Sequence, residues 1–383
     1  MHSPRLRLTA IALGGMLLAA ACTTESGQPS GSVPFGTGQP TNAAPPSADV
    51  FRWAPEGLAF GPDGTLYASD CVGGRIYRVD PAGTVTVFAG TGVSSTSGGL
   101  SPDGVPAAQA DLHCPMGLAF DAAGNLLVVE HASNRIRAIG ADGLINTIVG
   151  NGPVGTSLDD GELTGDGGPA REASLQEPTA ITFDGAGNLY IADRDNHAIR
   201  RVDLAAIITT VAGSGDRGFA GDDERATEAE LSRPQGVAVD GAGNIYISDS
   251  DNNRIRKVDT SGFITTIAGT GQPGYSGDGG LALEAMIIDP YVLIVDGSGN
   301  LRFSSSGNVV RMIDANGIIS TVAGTGEGGL SGDGGPATAA QLSFPTGLVF
   351  DAAGNLYIGE VANQRIRIVR PDGTIGTFAP GGL

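Results

Sequence analysis

Three cysteines, four histidines and several sets of recurring carboxylates are the side chains here that could do chemistry. Cys71, His113, Cys114 and His131 together would make a two-sulfur, two-nitrogen set suited to Zn²⁺. The same two cysteines could instead close a disulfide, or remain free thiols. Cys22 stands apart, at the end of an apolar run. Acids recur at Asp70, Glu130, Asp193, Asp249 and Glu360, and Arg75, Arg135, Arg254 and Arg365 follow four of them by five residues. Another set, Asp121, Asp184, Asp240, Asp296 and Asp351, stands before x-x-Gly-Asn. A third, Asp103, Asp166, Asp222, Asp278 and Asp333, lies mostly within Gly-Asp-Gly-Gly and could gather Ca²⁺ through its oxygens. Gly150/Gly152/Gly155 and three later copies have the spacing of a dinucleotide fingerprint.

Their positions depend on the elements that carry them. The stretch from Pro234 to Ala285 holds four short runs, GVAVD, NIYISD, RIRKVD and FITTIAG, each closed by Gly, Asn, Asp or Ser. Runs of that length rich in Val, Ile and Tyr read as strands. The opening proline recurs as Pro55, Pro115, Pro178, Pro234, Pro290 and Pro345, at intervals of 60, 63, 56, 56 and 55 residues. A single four-stranded sheet cannot bury both faces, so repeated sheets must stack. The prediction is an all-β, six-bladed β-propeller of four-stranded antiparallel blades over residues 50–383. The copy from Pro290 is degenerate, with Ser305 in place of the acid that ends the second strand. The ring closes either by blade packing or by a strand added from Val50–Trp53.

The pattern GNLYIAD, N-RIR-VD, TVAGTG, GDGGPA resembles the NHL repeat family, over about residues 50–383. That resemblance implies a propeller and no particular activity. In this frame the glycine pattern leads from strand to strand, without the βαβ unit a dinucleotide needs. The Asp-x-x-Gly-Asn sets are turn formers. The acids ending the second strands face the arginines five residues on across a hairpin, as repeated structural ion pairs, and blade five lacks both members. The Gly-Asp-Gly-Gly aspartates lie a blade apart, too far to share an ion, and read as solvated turns capping a short Ala-x-x-Ala-x-Leu segment. Cys71 and Cys114 fall on one face in adjacent blades, and His197 reads as a turn residue.

Ahead of the repeats, residues 1–21 pair Arg5 and Arg7 with an apolar run and read as a signal peptide. Leu18-Ala19-Ala20-Ala21-Cys22 resembles a bacterial lipobox with Ala19 replacing the usual Leu, which implies lipidation of Cys22. Residues 22–49, rich in Gly, Ser, Thr, Pro and Ala, read as a flexible tether. The expected location is therefore the cell envelope, periplasmic or outer-membrane associated, with the membrane engaged through the lipid alone. A net charge of −19 with Lys257 as the only lysine argues against nucleic-acid binding.

Two function classes follow. Gluconolactonase-like propellers hold a divalent metal at the channel mouth, and PEGLAF resembles their first blade, with Glu56 in the ligand position. The residues after each proline should ring that mouth: Glu56, Met116, Thr179, Gln235, Tyr291 and Thr346. One carboxylate among neutral groups is a poor metal site, and the histidines do not recur as the zinc ligands of amidating-lyase relatives would. The favoured reading is a monomeric binding scaffold for a protein, peptide or glycan, with no catalytic residues and no cofactor. The long loops 93–113 and 153–176 and the altered fifth blade are its candidate patch.

Overall fold

The computed structural model describes residues 53–94, 100–152 and 163–380. The signal, Cys22, the tether and parts of both long loops, 95–99 and 153–162, lie outside them. Six antiparallel sheets follow one another along the chain, each with its four strands in sequence order. Blade four is typical: Pro234–Val239, Ile245–Asp249, Arg254–Val258 and Phe263–Ala268 run from the channel outward. The degenerate fifth blade keeps all four strands, Pro290–Val295, Leu301–Ser305, Val309–Ile313 and Ile319–Ala323.

The core lies between blades. Each cluster takes one face from a blade, the facing side of the next, and the small residues of the intervening loop. Between blades three and four these are Ala192, Ile199 and Ala212, then Val237, Ile247 and Ile264, with Ala226, Ala229 and Leu231 wedged beside them. The Ala-x-x-Ala-x-Leu segment is thus a buried wedge, and its alanines are small because two sheets meet there.

Each connecting loop also crosses to the outer edge of the following blade. Val105–Pro106 pairs with Ile145 and Leu144, and Glu224–Arg225 with Ile264 and Phe263. Single bridges Pro169–Ile207, Leu281–Ile318 and Pro336–Thr374 repeat the arrangement. The loop then returns towards the channel along the wedge. The glycine that starts it is obligatory: Gly269 has φ +93°, and a Cβ there would run into the Asn253 carbonyl.

This path corrects the role of the Gly-Asp-Gly-Gly aspartates. They are not free solvated turns. Asp103, Asp166, Asp222, Asp278 and Asp333 each pair with a buried arginine of the next blade: Arg137 (3.2 Å), Arg200 (2.8 Å), Arg256 (2.8 Å), Arg311 (2.6 Å) and Arg367 (2.6 Å). The ion pairs expected with Arg75, Arg135, Arg254 and Arg365 are corrected too. Those residues do lie opposite the acids in register, as Asp249 and Arg254 do. Their guanidiniums, however, donate to loop carbonyls, such as Arg254 to Asn252 and Thr270. The acids pair diagonally, two residues deeper: Glu130–Arg137 (3.8 Å), Asp193–Arg200 (3.2 Å), Asp249–Arg256 (3.5 Å) and Glu360–Arg367 (3.6 Å). Each such arginine bridges a fully buried acid and a loop aspartate. It fixes the loop to the blade it crosses.

Among the described residues no connecting loop pairs with the outer strand of blade one. At the arginine position this blade carries Tyr77, whose hydroxyl is 3.5 Å from the Asp70 carboxylate. Trp53 packs edge-on against Tyr77, with ring centroids 5.5 Å apart, in the cluster joining blades six and one. Among the described residues the ring closes by this packing, with no strand exchanged between the chain ends.

Candidate functional site at the channel mouth

The first strands of blades two to six begin at the repeated prolines, Pro115, Pro178, Pro234, Pro290 and Pro345. The next residue therefore stands at one end of the central channel. Glu56, Met116, Thr179, Gln235, Tyr291 and Thr346 line one cavity of about 420 Å³, together with Cys71, Cys114, His131, Arg194 and Phe344. Serine hydroxyls from the second strands brace the ring. Ser69 donates to the Met116 carbonyl (2.5 Å), Ser248 to that of Tyr291 (2.5 Å) and Ser304 to that of Thr346 (3.1 Å). Thr179 donates to the Gln235 carbonyl (2.9 Å) and Thr346 to that of Pro55 (3.4 Å). Those two hydroxyls link neighbouring blades. The polar ends of Glu56, Gln235 and Tyr291 are engaged by no hydrogen bond from the described residues.

Burial, reinforced by the nearby Asp70 carboxylate, pushes Glu56 up to about 8. It is thus a protonated, hydrogen-donating group at neutral pH. An unfolded chain releases this proton near 4.5, so stability falls as pH rises between 4.5 and about 8. Glu56→Gln has no proton to lose. It is expected to match the parent at pH 5 and to exceed its stability at pH 9 by on the order of 3 kcal/mol, read from urea midpoints. Equal midpoints at both pH values would show that Glu56 is ionised throughout.

Cys71 and Cys114 are joined by a disulfide that links blades one and two at the cavity wall. The zinc set is corrected accordingly, because its two sulfurs are bonded to each other. His113 is fully buried, and its ring nitrogens meet no hydrogen-bond partner among the described residues. His131 Nδ1 lies 3.0 Å from the Pro178 carbonyl, which can only accept, so Nδ1 carries the proton. Burial lowers the pKa of both rings. Among the described residues no three His, Cys, Asp or Glu side chains converge to hold a metal ion. The ring offers a single carboxylate, Glu56, among neutral groups, a poor donor set for a divalent ion. His197 ends a turn at φ +52° and accepts the Arg233 amide at Nδ1 (3.2 Å).

The sequence did not point to a charged cluster on the rim. Arg194 pairs with Glu177 (2.5 Å) and with Asp195 (3.1 Å), and Arg233 also reaches Asp195 (3.2 Å). Asp195 is the second residue of the Arg194–Asn196 turn, which looks like an ordinary loop triplet. Glu177 and Arg233 each stand directly before the proline that opens a blade, a repeated position of positive φ that carries unlike residues in the other blades.

The family model for the teneurin NHL domain matches residues 155–220 and 215–274, and the strictosidine synthase-like N-terminal model matches residues 52–79. Mouse (Mus musculus) Teneurin-4 is 29% identical over 351 residues, which is 83% of this chain and 12% of Teneurin-4. The chain is an NHL-repeat protein. It spans only about an eighth of the length of that relative, so what the whole relative does is not carried over. An auxiliary nutrient binding protein from Bacteroides thetaiotaomicron has a similar structure, with a TM-score of 0.58, 15% identity and coverage of 85% of this chain and 70% of that one. A gluconolactonase from Xanthomonas campestris gives a TM-score of 0.54 at 19% identity, with 86% and 87% covered. At such identities the likeness concerns the fold alone. The NHL repeat accounts for the mouth residues by position, since each follows the proline that starts a blade.

Proposed function

We propose that this NHL propeller is a binding module of the cell envelope, tethered through a lipid on Cys22, that takes its ligand at the channel mouth. The observation that carries this reading is the rim of Glu56, Gln235 and Tyr291. Three hydrogen-bonding groups of no net charge, unengaged by the described residues, face one cavity of about 420 Å³. A protonated carboxyl, an amide and a phenol both donate and accept. They suit an uncharged chain with alternating donors and acceptors, namely a peptide backbone or a glycan. The rim of blade disulfide, serine braces and threonine links keeps that arrangement rigid, which lowers the entropy lost on binding.

The tether is tested separately. Cys22→Ser is expected to move the protein from the membrane fraction to the soluble exported fraction. Unchanged fractionation would remove the lipid anchor from the account and leave the mouth untouched.

A further inference from the structure

At five of the six junctions between blades, the second strand of the earlier blade presents one large side chain to the gap. These are Tyr67, Tyr190, Tyr246, Arg302 and Tyr357, and each stands opposite a long partner on the third strand: Arg78, Arg201, Lys257, Met312 and Ile368. Blade two alone departs. Its pair is Leu127 and Ala138. The missing volume appears as a groove of about 650 Å³ between blades two and three.

The missing side chain has also left an acid short of a partner. Tyr190, Tyr246 and Tyr357 hydroxyls reach Asp184 (3.3 Å), Asp240 (3.1 Å) and Asp351 (3.2 Å), and Arg302 pairs with Asp296. Among the described residues the equivalent Asp121 side chain accepts only from Ala123 N (2.9 Å) and from Asn125 N and Nδ2 (2.8 and 2.7 Å). Asp184 and Asp203 share the groove with it, and no Lys, Arg or His is among the described residues that line it. On its rim Leu204 is 80% exposed. The same turn holds Ala206 at φ +58°, where the other blades use Gly83, Gly143, Gly262, Gly317 and Gly373. A non-glycine residue there costs about 1 kcal/mol.

The junction between blades five and six supplies the template. There Arg302 pairs with Asp296 and lies over the Phe350 ring at 4.9 Å. The groove between blades two and three holds the matching acid, Asp121, and the matching ring, Phe183, but no arginine. We propose that this groove receives an arginine side chain from a partner polypeptide. Its stem covers Leu127 and Ala138, and its guanidinium meets Asp121 over the Phe183 face. Charge-assisted pairing with cation–π contact would select arginine over a neutral side chain of the same shape.

The test uses the full chain and blocked tripeptides Ac-Ala-X-Ala-NH₂, with X as Arg, citrulline, Tyr or Leu. Titrations are followed by NMR of the leucine methyls. The Arg peptide is expected to shift Leu127 and Leu204, to bind about tenfold or more tightly than the citrulline peptide, and to weaken with salt. Leu127→Tyr with Ala138→Arg restores the residue types of the other blades. It should abolish binding while keeping the unfolding midpoint, and Asp121→Asn should weaken binding about tenfold. No Arg-peptide binding at millimolar concentration would overturn the proposal, as would equal affinity for citrulline or binding that survives the refilled groove. Tighter binding of the Tyr or Leu peptide would overturn arginine as the occupant. Mouth variants should leave all of these results unchanged.

Discussion

Asp249→Ala is expected to destabilise the propeller by about 3 kcal/mol, the cost of leaving a buried guanidinium without its inner acid and a buried amide without its acceptor. Asp249 and Arg256 are both fully buried, 3.5 Å apart. The carboxylate also accepts the Ser232 amide (2.7 Å) and the Asn252 side chain (2.8 Å). Removing it strands the buried Ser232 amide and leaves Asn252 with the Gly218 carbonyl (2.6 Å) and Arg256 with Asp222 and the Glu230 carbonyl (3.4 Å). The outer partner of the same arginine is a control. Asp222 is 36% exposed, so Asp222→Ala should cost only about 1 kcal/mol or less. Blade five shows how an arginine can be held without the inner acid. There Ser305 occupies that place, and Arg311 donates to the Met286 carbonyl (3.1 Å), the Ser276 carbonyl (2.8 Å) and Asp278. Asp249→Ser should therefore lie between the two alanine variants. Urea midpoints give the ranking. Equal losses for Asp249→Ala and Asp222→Ala would mean that the arginine is held by the loop alone.

The second large effect concerns the disulfide. Cys71 and Cys114 are separated by 43 residues. Closing a loop of that size restricts the unfolded chain by about 4 kcal/mol in the chain-entropy model. The Cys71→Ser, Cys114→Ser double variant is expected to lose about 3–4 kcal/mol. Dithiothreitol should reproduce that loss in the parent and do nothing to the variant. Because the bridge forms part of the cavity wall, ligand affinity should fall as well. A parent whose midpoint ignores reductant would contradict a closed bridge.

The blades and the mouth were legible because both follow from the repeat. Proline marks the start of each inner strand, and the six mouth residues follow it in order. The partnership of the cysteines was open in the sequence, because Cys71 follows a strand of one blade and Cys114 precedes a strand of the next. The ion pairs were misread for a geometric reason. Asp249 does lie opposite Arg254, but Arg254 sits at the rim, where loop carbonyls satisfy it and the Phe219 ring lies 3.8 Å away. The deeper Arg256, on the same side of its strand, also donates to the Ala220 (3.3 Å) and Glu230 (3.4 Å) carbonyls, but it lies within 3.5 Å of the Asp249 carboxylate and so pairs with the acid as well. The connecting loops were read as face loops because nothing local reveals that Val105–Pro106 crosses to the outer edge of the following blade. Leu127 and Ala138 were visible in the sequence. Only comparison with the same positions in the other blades makes them informative.

The most direct test of the central claim is a binding measurement at the mouth. Peptide and glycan arrays would be probed with the full chain and with Gln235→Trp, which fills the cavity from a ring position. The account predicts saturable binding to one of the two classes by the parent. It also predicts loss of that binding in Gln235→Trp with an unchanged unfolding midpoint. Binding that Gln235→Trp leaves intact would contradict it, and so would lactone hydrolysis that depends on added Ca²⁺ or Zn²⁺ and disappears in Glu56→Gln.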